Sequence, residues 1–126
     1  MISLDMQSRI PIYEQLVSKF AKLFMLGFMK SGEQLPTVRN LATSLSINPN
    51  TVQKAYRTLE LQGLIYSIEG KGSFVSELAT SSSVKTALAT KELESALHES
   101  IMWGLNKDQV LTTVEKIYTV RSDIDD

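Results

Sequence analysis

Apolar residues in the first 62 positions recur at spacings of three and four, the pattern of amphipathic helices. The first predicted helix extends from about Pro11 to about Phe28. The second follows Thr37, and the third has Asn48 as its N-cap and ends near Gly63. A turn of only three residues joins the second helix to the third, so this part of the chain is predicted to be a helix-turn-helix.

The pattern changes after Gly63. Residues 64–68 are β-branched and aromatic, which favours a strand, and residues 73–76 favour a second strand. The intervening segment, 69–72, has glycines on both sides of Lys71 and predicts the turn of a hairpin. Three helices closed by a hairpin predict a winged helix-turn-helix.

The remaining third of the chain predicts two more helices, and the spacing of Asn106 and Gln109 predicts a capping box at the start of the second. The expected division is a winged helix-turn-helix domain at 1–76, a small and polar linker at 77–83, a two-helix segment at 84–121 and a polar tail at 122–126. The apolar stripes of the two helices contain Leu88, Leu93, Leu97, Ile101, Val110, Val114 and Ile117. Two such helices cannot form a core alone, so burial of both stripes against a second copy predicts a homodimer. The predicted fold class is mainly α with a small β-hairpin.

Composition excludes several kinds of site. The chain has no Cys and a single His, so disulfides, thiolate metal sites and multi-histidine metal sites are excluded, and no cofactor or metal is expected. The same composition offers few side chains for catalysis, so the chain is not expected to be an enzyme. The most apolar stretch, 20–29, is half as long as a bilayer span, and the first fifteen residues lack an apolar signal core. We therefore expect a cytoplasmic protein without a membrane segment.

The formal net charge of −1 hides a division between the two parts of the chain. Residues 1–76 contain eight basic and five acidic side chains, a net charge of +3. Residues 77–126 contain five basic and nine acidic side chains, a net charge of −4. Such asymmetry indicates that the two parts do different work, and the positive part is the one with the helix-turn-helix.

The exposed side of the third helix decides the functional prediction. Its outward positions are Asn50, Thr51, Gln53, Lys54, Arg57 and Thr58. All six can hydrogen-bond, two are cationic and none is acidic, whereas a merely solvated helix would normally mix Glu with Lys. The amides of Asn50 and Gln53 suit an adenine edge, and Lys54 and Arg57 suit phosphate or guanine. Together with Arg39 and Lys71, this face predicts binding to double-stranded DNA.

Two alternatives to DNA binding fit the sequence less well. Winged helices also serve as protein–protein adaptors, but an adaptor predicts an acidic or apolar face on the third helix, and this face is neither. The sequence Gly70-Lys71-Gly72 could suggest a phosphate-binding nucleotide loop, but it lacks a further glycine and the required strand-then-helix context. A wing that places Lys71 along DNA is the favoured interpretation.

Four motifs in register resemble the amino-terminal domain of GntR-type bacterial transcription regulators. They are Pro-Ile-Tyr-Glu-Gln-Leu at 11–16, Gly-Glu-Gln-Leu-Pro-Thr-Val-Arg-Asn-Leu-Ala at 32–42, Asn-Pro-Asn-Thr-Val-Gln-Lys-Ala-Tyr at 48–56 and Glu-Gly-Lys-Gly-Ser-Phe-Val at 69–75. The resemblance implies that the arginine after Leu-Pro-Thr-Val contacts DNA, and it places the family's wing glycines at Gly70 and Gly72. Many members have arginine where this chain has Pro49 and Gln53.

Combining the exposed face with the resemblance gives one predicted DNA-contacting set. Its members are Thr37, Arg39, Pro49, Asn50, Thr51, Gln53, Lys54, Arg57, Gly70, Lys71 and Gly72. The Asn-Pro-Asn-Thr-Val motif and the short remainder of the chain resemble the YtrA-type subfamily. That resemblance implies dimerisation through two carboxy-terminal helices, repression of an operon, often one for a transporter, and a palindromic operator. Whether a small-molecule effector acts at the dimer interface, or none acts at all, stays open.

Overall fold

The computed structural model describes residues 2–125, with side chains as far as residue 122. Its elements are α1 (Ile12–Met25), α2 (Val38–Leu45), α3 (Pro49–Leu61), β1 (Ile65–Ile68), β2 (Gly72–Val75), a short 3-10 turn (Leu78–Thr80), α4 (Ser82–Met102) and α5 (Lys107–Asp125). The mainly helical fold with one hairpin is therefore confirmed. The chain forms two compact units, one ending at Thr86 and the other beginning at Ala87.

The core of the first unit lies between α1 and α3. Leu16, Phe20 and Phe24 on α1 and Val52 and Leu59 on α3 have at most 1% of their surface exposed. The three residues on α1 are four apart and the two on α3 are seven apart, so each set lies on one face of its helix. The closure of this core fixes which side of α3 is left to solvent.

Local capping explains the tight turn between α2 and α3. Ser46 ends α2 with a φ of 56°, a left-handed conformation that residues other than glycine seldom adopt. The side chain of Asn48 then accepts a hydrogen bond from the backbone N–H of Asn50 at 2.8 Å. Pro49 occupies the first turn of α3, where its missing N–H is not needed. The predicted start of α3 is confirmed.

Tyr56 links α3 to the segment before α2. Its hydroxyl donates a hydrogen bond to the backbone oxygen of Pro36 at 2.7 Å, and its ring meets the ring of Phe20 edge-on with centroids 5.8 Å apart. Burial raises the pKa of the Tyr56 hydroxyl above its ordinary value of 10.0. The helix-turn-helix is therefore fixed by a polar contact as well as by its core.

The two-stranded hairpin has a further segment of backbone bonded along one side. β1 and β2 pair in antiparallel register, and residues 32–35 pair with the other edge of β2. The backbone N–H groups of Gly32 and Leu35 donate to the oxygens of Val75 and Ser73, both at 2.8 Å. The N–H of Val75 donates to the oxygen of Glu33 at 2.9 Å. The hairpin was predicted from the sequence, but the pairing of residues 32–35 with β2 was not.

The prediction that α1 extends to about Phe28 is wrong, because the helix ends at Met25. Gly27 adopts a φ of 80°. The N–H of Phe28 bonds to the oxygen of Leu23 at 3.0 Å, and the N–H of Gly27 bonds to the oxygen of Phe24 at 3.2 Å. This is the Schellman arrangement, in which a left-handed glycine ends the helix. The apolar pattern continued past this glycine and concealed the end.

Two boundaries in the carboxy-terminal part also differ from the expected ones. The 3-10 turn and the first residues of α4 lie within 77–83, which was expected to be a linker. The hydroxyl of Ser81 accepts a hydrogen bond from the N–H of Val84, so the polar residues there start a helix. Likewise α5 extends into the expected tail, 122–126, as far as Asp125, because polarity alone does not end a helix. Residue 126 lies outside the described residues.

The start of α5 is confirmed in detail. The backbone N–H of Asn106 donates to the side-chain oxygen of Gln109 at 2.8 Å, and the N–H of Gln109 donates to the side-chain oxygen of Asn106 at 2.9 Å. This is the reciprocal capping box that the spacing predicted.

The apolar stripes of α4 and α5 are uncovered in the single chain. Leu88, Leu97 and Val110 are half-buried, and Leu93, Ile101, Val114 and Ile117 are exposed. Trp103 has 82% of its surface exposed. α4 and α5 make few contacts with each other. A helix pair of this kind leaves much of its apolar surface to solvent.

Candidate nucleic-acid interface

The outward face of α3 has the composition that the sequence predicts. Burial of Val52, Ala55, Tyr56 and Leu59 orients the helix. The predicted contacts on the other side are exposed at Pro49, Asn50, Gln53, Lys54 and Arg57, and half-buried at Thr51. Their amide, hydroxyl, ammonium and guanidinium groups are available to a partner. The face can therefore offer both base-reading hydrogen bonds and positive charge.

Two predicted contacts lie at the start of α2 and have different roles in the fold. The hydroxyl of Thr37 accepts a hydrogen bond from the backbone N–H of Asn40 at 3.1 Å, which makes Thr37 the N-cap of α2. Arg39, the second residue of α2, is exposed. Thr37 thus fixes the first turn of the helix from which the Arg39 side chain extends.

The starts of α1 and α3 form a shallow open cleft. Its volume is about 420 Å³, and it is lined by Pro11, Ile12, Tyr13, Asn50, Thr51 and Lys54. The ammonium of Lys54 lies over the Tyr13 ring, 4.0 Å from the ring centroid. The first N–H groups of a helix have no partner within the helix and the local dipole is positive there, so the cleft suits an anion. Thr51 and Lys54 of α3 therefore line the same cleft as residues at the start of α1.

The tip of the wing is exposed and closely defined. Gly70 has a φ of 77° and Gly72 a φ of 124°, conformations that glycine adopts without strain. The backbone N–H of Lys71 donates to the oxygen of Ile68 at 2.9 Å. The side-chain amide of Gln34 donates to the backbone oxygen of Lys71 at 2.7 Å. The backbone of Lys71 is therefore fixed by two hydrogen bonds, one within the hairpin and one from Gln34.

Sequence reasoning missed two residues at this surface, Tyr13 and Gln34. Tyr13 was noted only within the motif at 11–16, and the fold places it half-buried beneath Lys54. Gln34 was noted only within a motif, since its partner Lys71 is 37 positions away in the chain. No local pattern indicates a pairing over that separation, and only the folded chain brings these groups together.

Other kinds of site have no support among the described residues. Across residues 2–122, where side chains are described, there is no group of three or more His, Cys, Asp or Glu side chains placed to hold a metal ion. No described helix is long and apolar enough to cross a membrane. Each buried side-chain nitrogen or oxygen in the described part of the chain has a hydrogen-bond partner.

Comparison with known proteins gives consistent matches. Residues 12–75 match the family of bacterial regulatory proteins called gntR. The chain is 36% identical over 119 residues to the HTH-type transcriptional repressor YtrA of Bacillus subtilis, covering 93% of this chain and 92% of that protein. This match confirms the resemblance to the YtrA-type subfamily. The curated relatives are transcription regulators, not enzymes.

Solved structures resemble the chain in fold as well as sequence. A GntR family transcriptional regulator from Listeria monocytogenes has a TM-score of 0.70 and 31% identity, covering 90% of this chain and 98% of that one. The DNA-binding domain of AraR, solved in complex with operator ORE1, has a TM-score of 0.52 and 28% identity, covering 60% of this chain and 93% of that one. The winged helix-turn-helix is thereby confirmed, and the chain belongs to the GntR family of DNA-binding bacterial regulatory proteins.

Proposed function

We propose that the chain is a transcriptional repressor that binds an inverted-repeat DNA operator as a homodimer. The observation that supports this best is the exposed face of α3, which is polar and cationic from Asn50 to Arg57. Asn50, Thr51 and Gln53 read base edges in the major groove. The likeness to a relative named as a repressor, and to a domain solved with its operator, supports the same proposal.

Four cations hold the sugar-phosphate backbone in this proposal. Lys54 and Arg57 do so from α3, Arg39 from α2 and Lys71 from the wing, and all four are exposed. Contacts to phosphate position a protein on DNA, whereas contacts to base edges specify the sequence. The cleft between the starts of α1 and α3 accepts one phosphate beside Lys54.

The homodimer is supported by the exposed apolar side chains of α4, of α5 and of the turn between them. Ile101, Trp103 and Ile117 each have more than half of their surface exposed in the single chain. Burial of such residues against a second copy removes apolar surface from water. A two-fold dimer presents two copies of α3 and therefore recognises two half-sites in inverted orientation.

The cellular role is proposed from the resemblance to the YtrA-type subfamily. We propose that the protein acts in the cytoplasm and represses its own operon, which includes transporter genes. An effector, if the protein has one, would bind at the dimer interface, because the cleft between the starts of α1 and α3 is shallow and open.

The experiment is a gel-shift titration of the purified full chain with the DNA upstream of its own gene. A complex of two chains per site is expected, with an affinity that falls steeply as salt rises. Footprinting should show two half-sites one helical turn, or a multiple of it, apart. Equal binding to a scrambled fragment of the same composition would overturn the proposal that the protein recognises a specific operator. Absence of salt-dependent DNA binding would favour a protein–protein adaptor. In vitro transcription from that promoter distinguishes repression from activation.

A further inference from the structure

The wing tip is bonded to a residue outside the hairpin. The side-chain nitrogen Nε2 of Gln34 donates a hydrogen bond to the backbone oxygen of Lys71 at 2.7 Å. Within the hairpin, the N–H of Lys71 donates to the oxygen of Ile68. Among the described residues, the Gln34 bond is the one that joins the turn at 69–71 to the rest of the domain. The position of the tip therefore depends on a side chain far away in the sequence.

The backbone of Gln34 is itself fixed. Gln34 lies opposite Phe74 in an antiparallel bridge, and its neighbours Glu33 and Leu35 exchange backbone hydrogen bonds with β2 at 2.9 and 2.8 Å. The sheet edge thus provides a rigid base from which the Gln34 side chain reaches the tip. Movement of the tip would require this hydrogen bond to break.

Gly72 is shaped for the same contact. A Cβ at this position would lie 2.6 Å from Nε2 of Gln34, closer than real side chains approach. The φ of 124° at Gly72 is also one that other residues rarely adopt. The glycine therefore permits both the backbone conformation of the wing and the approach of the Gln34 amide.

We infer that Gln34 is a positioning residue for the wing, holding the backbone at Lys71 in one conformation before DNA arrives. The inference rests on the proposed function, in which Lys71 contacts phosphate. A tip that is already ordered loses less conformational entropy on binding, so the gain appears as DNA affinity. Gln34 acts through Lys71 and does not touch the DNA.

The test compares Gln34→Met, which keeps the length of the side chain but removes its N–H donor, with Gln62→Met as a control. Gln62 is an exposed glutamine at the end of α3. Loss of one hydrogen bond predicts operator binding about fivefold weaker for Gln34→Met and unchanged for Gln62→Met. In a Lys71→Ala background, which itself weakens binding uniformly across sequences, Gln34→Met should have less than about a twofold effect. Equal losses in both backgrounds, or no loss, would overturn the inference.

Amide hydrogen exchange on the free protein separates this inference from the proposed function. Gln34→Met should speed exchange at the Lys71 N–H about fivefold and leave the core amide of Leu59 unchanged. Unchanged exchange at Lys71 refutes the role of Gln34 even if the protein binds DNA. Failure of the unmodified chain to bind operator DNA, with faster exchange at Lys71, refutes the proposed function and retains the structural role of Gln34 at the tip.

Discussion

The ammonium of Lys54 lies 4.0 Å from the centroid of the Tyr13 ring, so a cation on the exposed face of α3 rests on an aromatic side chain of α1. Lys54 is exposed and Tyr13 is half-buried. The attraction between the ammonium and the ring face restricts a long side chain that would otherwise sample many rotamers. The Lys54 ammonium, which we propose contacts a DNA phosphate, is therefore held in place before DNA binds.

Replacing Tyr13 by leucine should weaken DNA binding about two- to fivefold, because Lys54 loses the ring that restrains it. Tyr13→Phe, which keeps the ring, should bind like the unmodified chain. Fluorescence anisotropy titrations with a labelled operator would measure both affinities. If Tyr13→Leu weakens binding equally in a Lys54→Ala background, the two residues do not act together.

Replacing Arg39 by alanine should weaken operator binding tenfold or more, because a charge-assisted contact with DNA is lost. The fold should be unaffected, since Arg39 is exposed and α2 is capped by Thr37. Lys91→Ala in α4 removes a positive charge that is not in the predicted DNA-contacting set and is the matched control. Gel-shift titrations in one buffer would compare all three proteins. Unchanged binding by Arg39→Ala would exclude this residue from the DNA contacts.

Replacing Tyr56 by phenylalanine should lower the free energy of unfolding by about 1 kcal/mol at neutral pH, because its hydroxyl no longer bonds to Pro36. The pKa of Tyr56 is raised in the folded state. The unfolded chain therefore releases the proton first as pH rises, and the stabilisation, complete below pH 10, is lost as pH rises further. Urea unfolding at pH 7 and above pH 10 should show the difference between the two proteins shrinking. A difference that is constant over this range would show that Tyr56 does not cause the pH dependence.

Replacing Ile117 by glutamate should convert the proposed dimer to a monomer, because a charge would be buried in an apolar contact. Thr112→Glu, at an exposed position on the same helix, adds the same charge and should leave the dimer intact. Sedimentation equilibrium would report the masses. If both variants have the same mass in solution as the unmodified protein, Ile117 does not lie in the interface.

Local signals explain how much of the fold could be predicted from the sequence. The starts of α3 and α5 were predicted because Asn48 and Asn106 cap them through contacts only two or three residues away. The end of α1 was misplaced because an apolar pattern masked the effect of Gly27.

Contacts between distant parts of the chain had no such signal. The pairing of 32–35 with β2, the contact of Lys54 with Tyr13 and the bond from Gln34 to Lys71 join segments roughly 40 residues apart. The exposed face of α3 was predictable because its orientation follows from the apolar residues of the same helix. The dimer stays a prediction, since its apolar stripes are seen only in a single chain.

Residues 32–35, which bond to β2, lead directly into Pro36, Thr37 and α2, so the segment beside the hairpin and the helix containing Arg39 are one continuous piece of backbone. This constrains how the domain can be recombined with its relatives. Exchanging only the outward residues of α3 leaves every backbone hydrogen bond of the wing in place. A chimera that contains the hairpin of a relative should also contain that relative's residues 32–35, because this segment bonds to the hairpin and continues into α2.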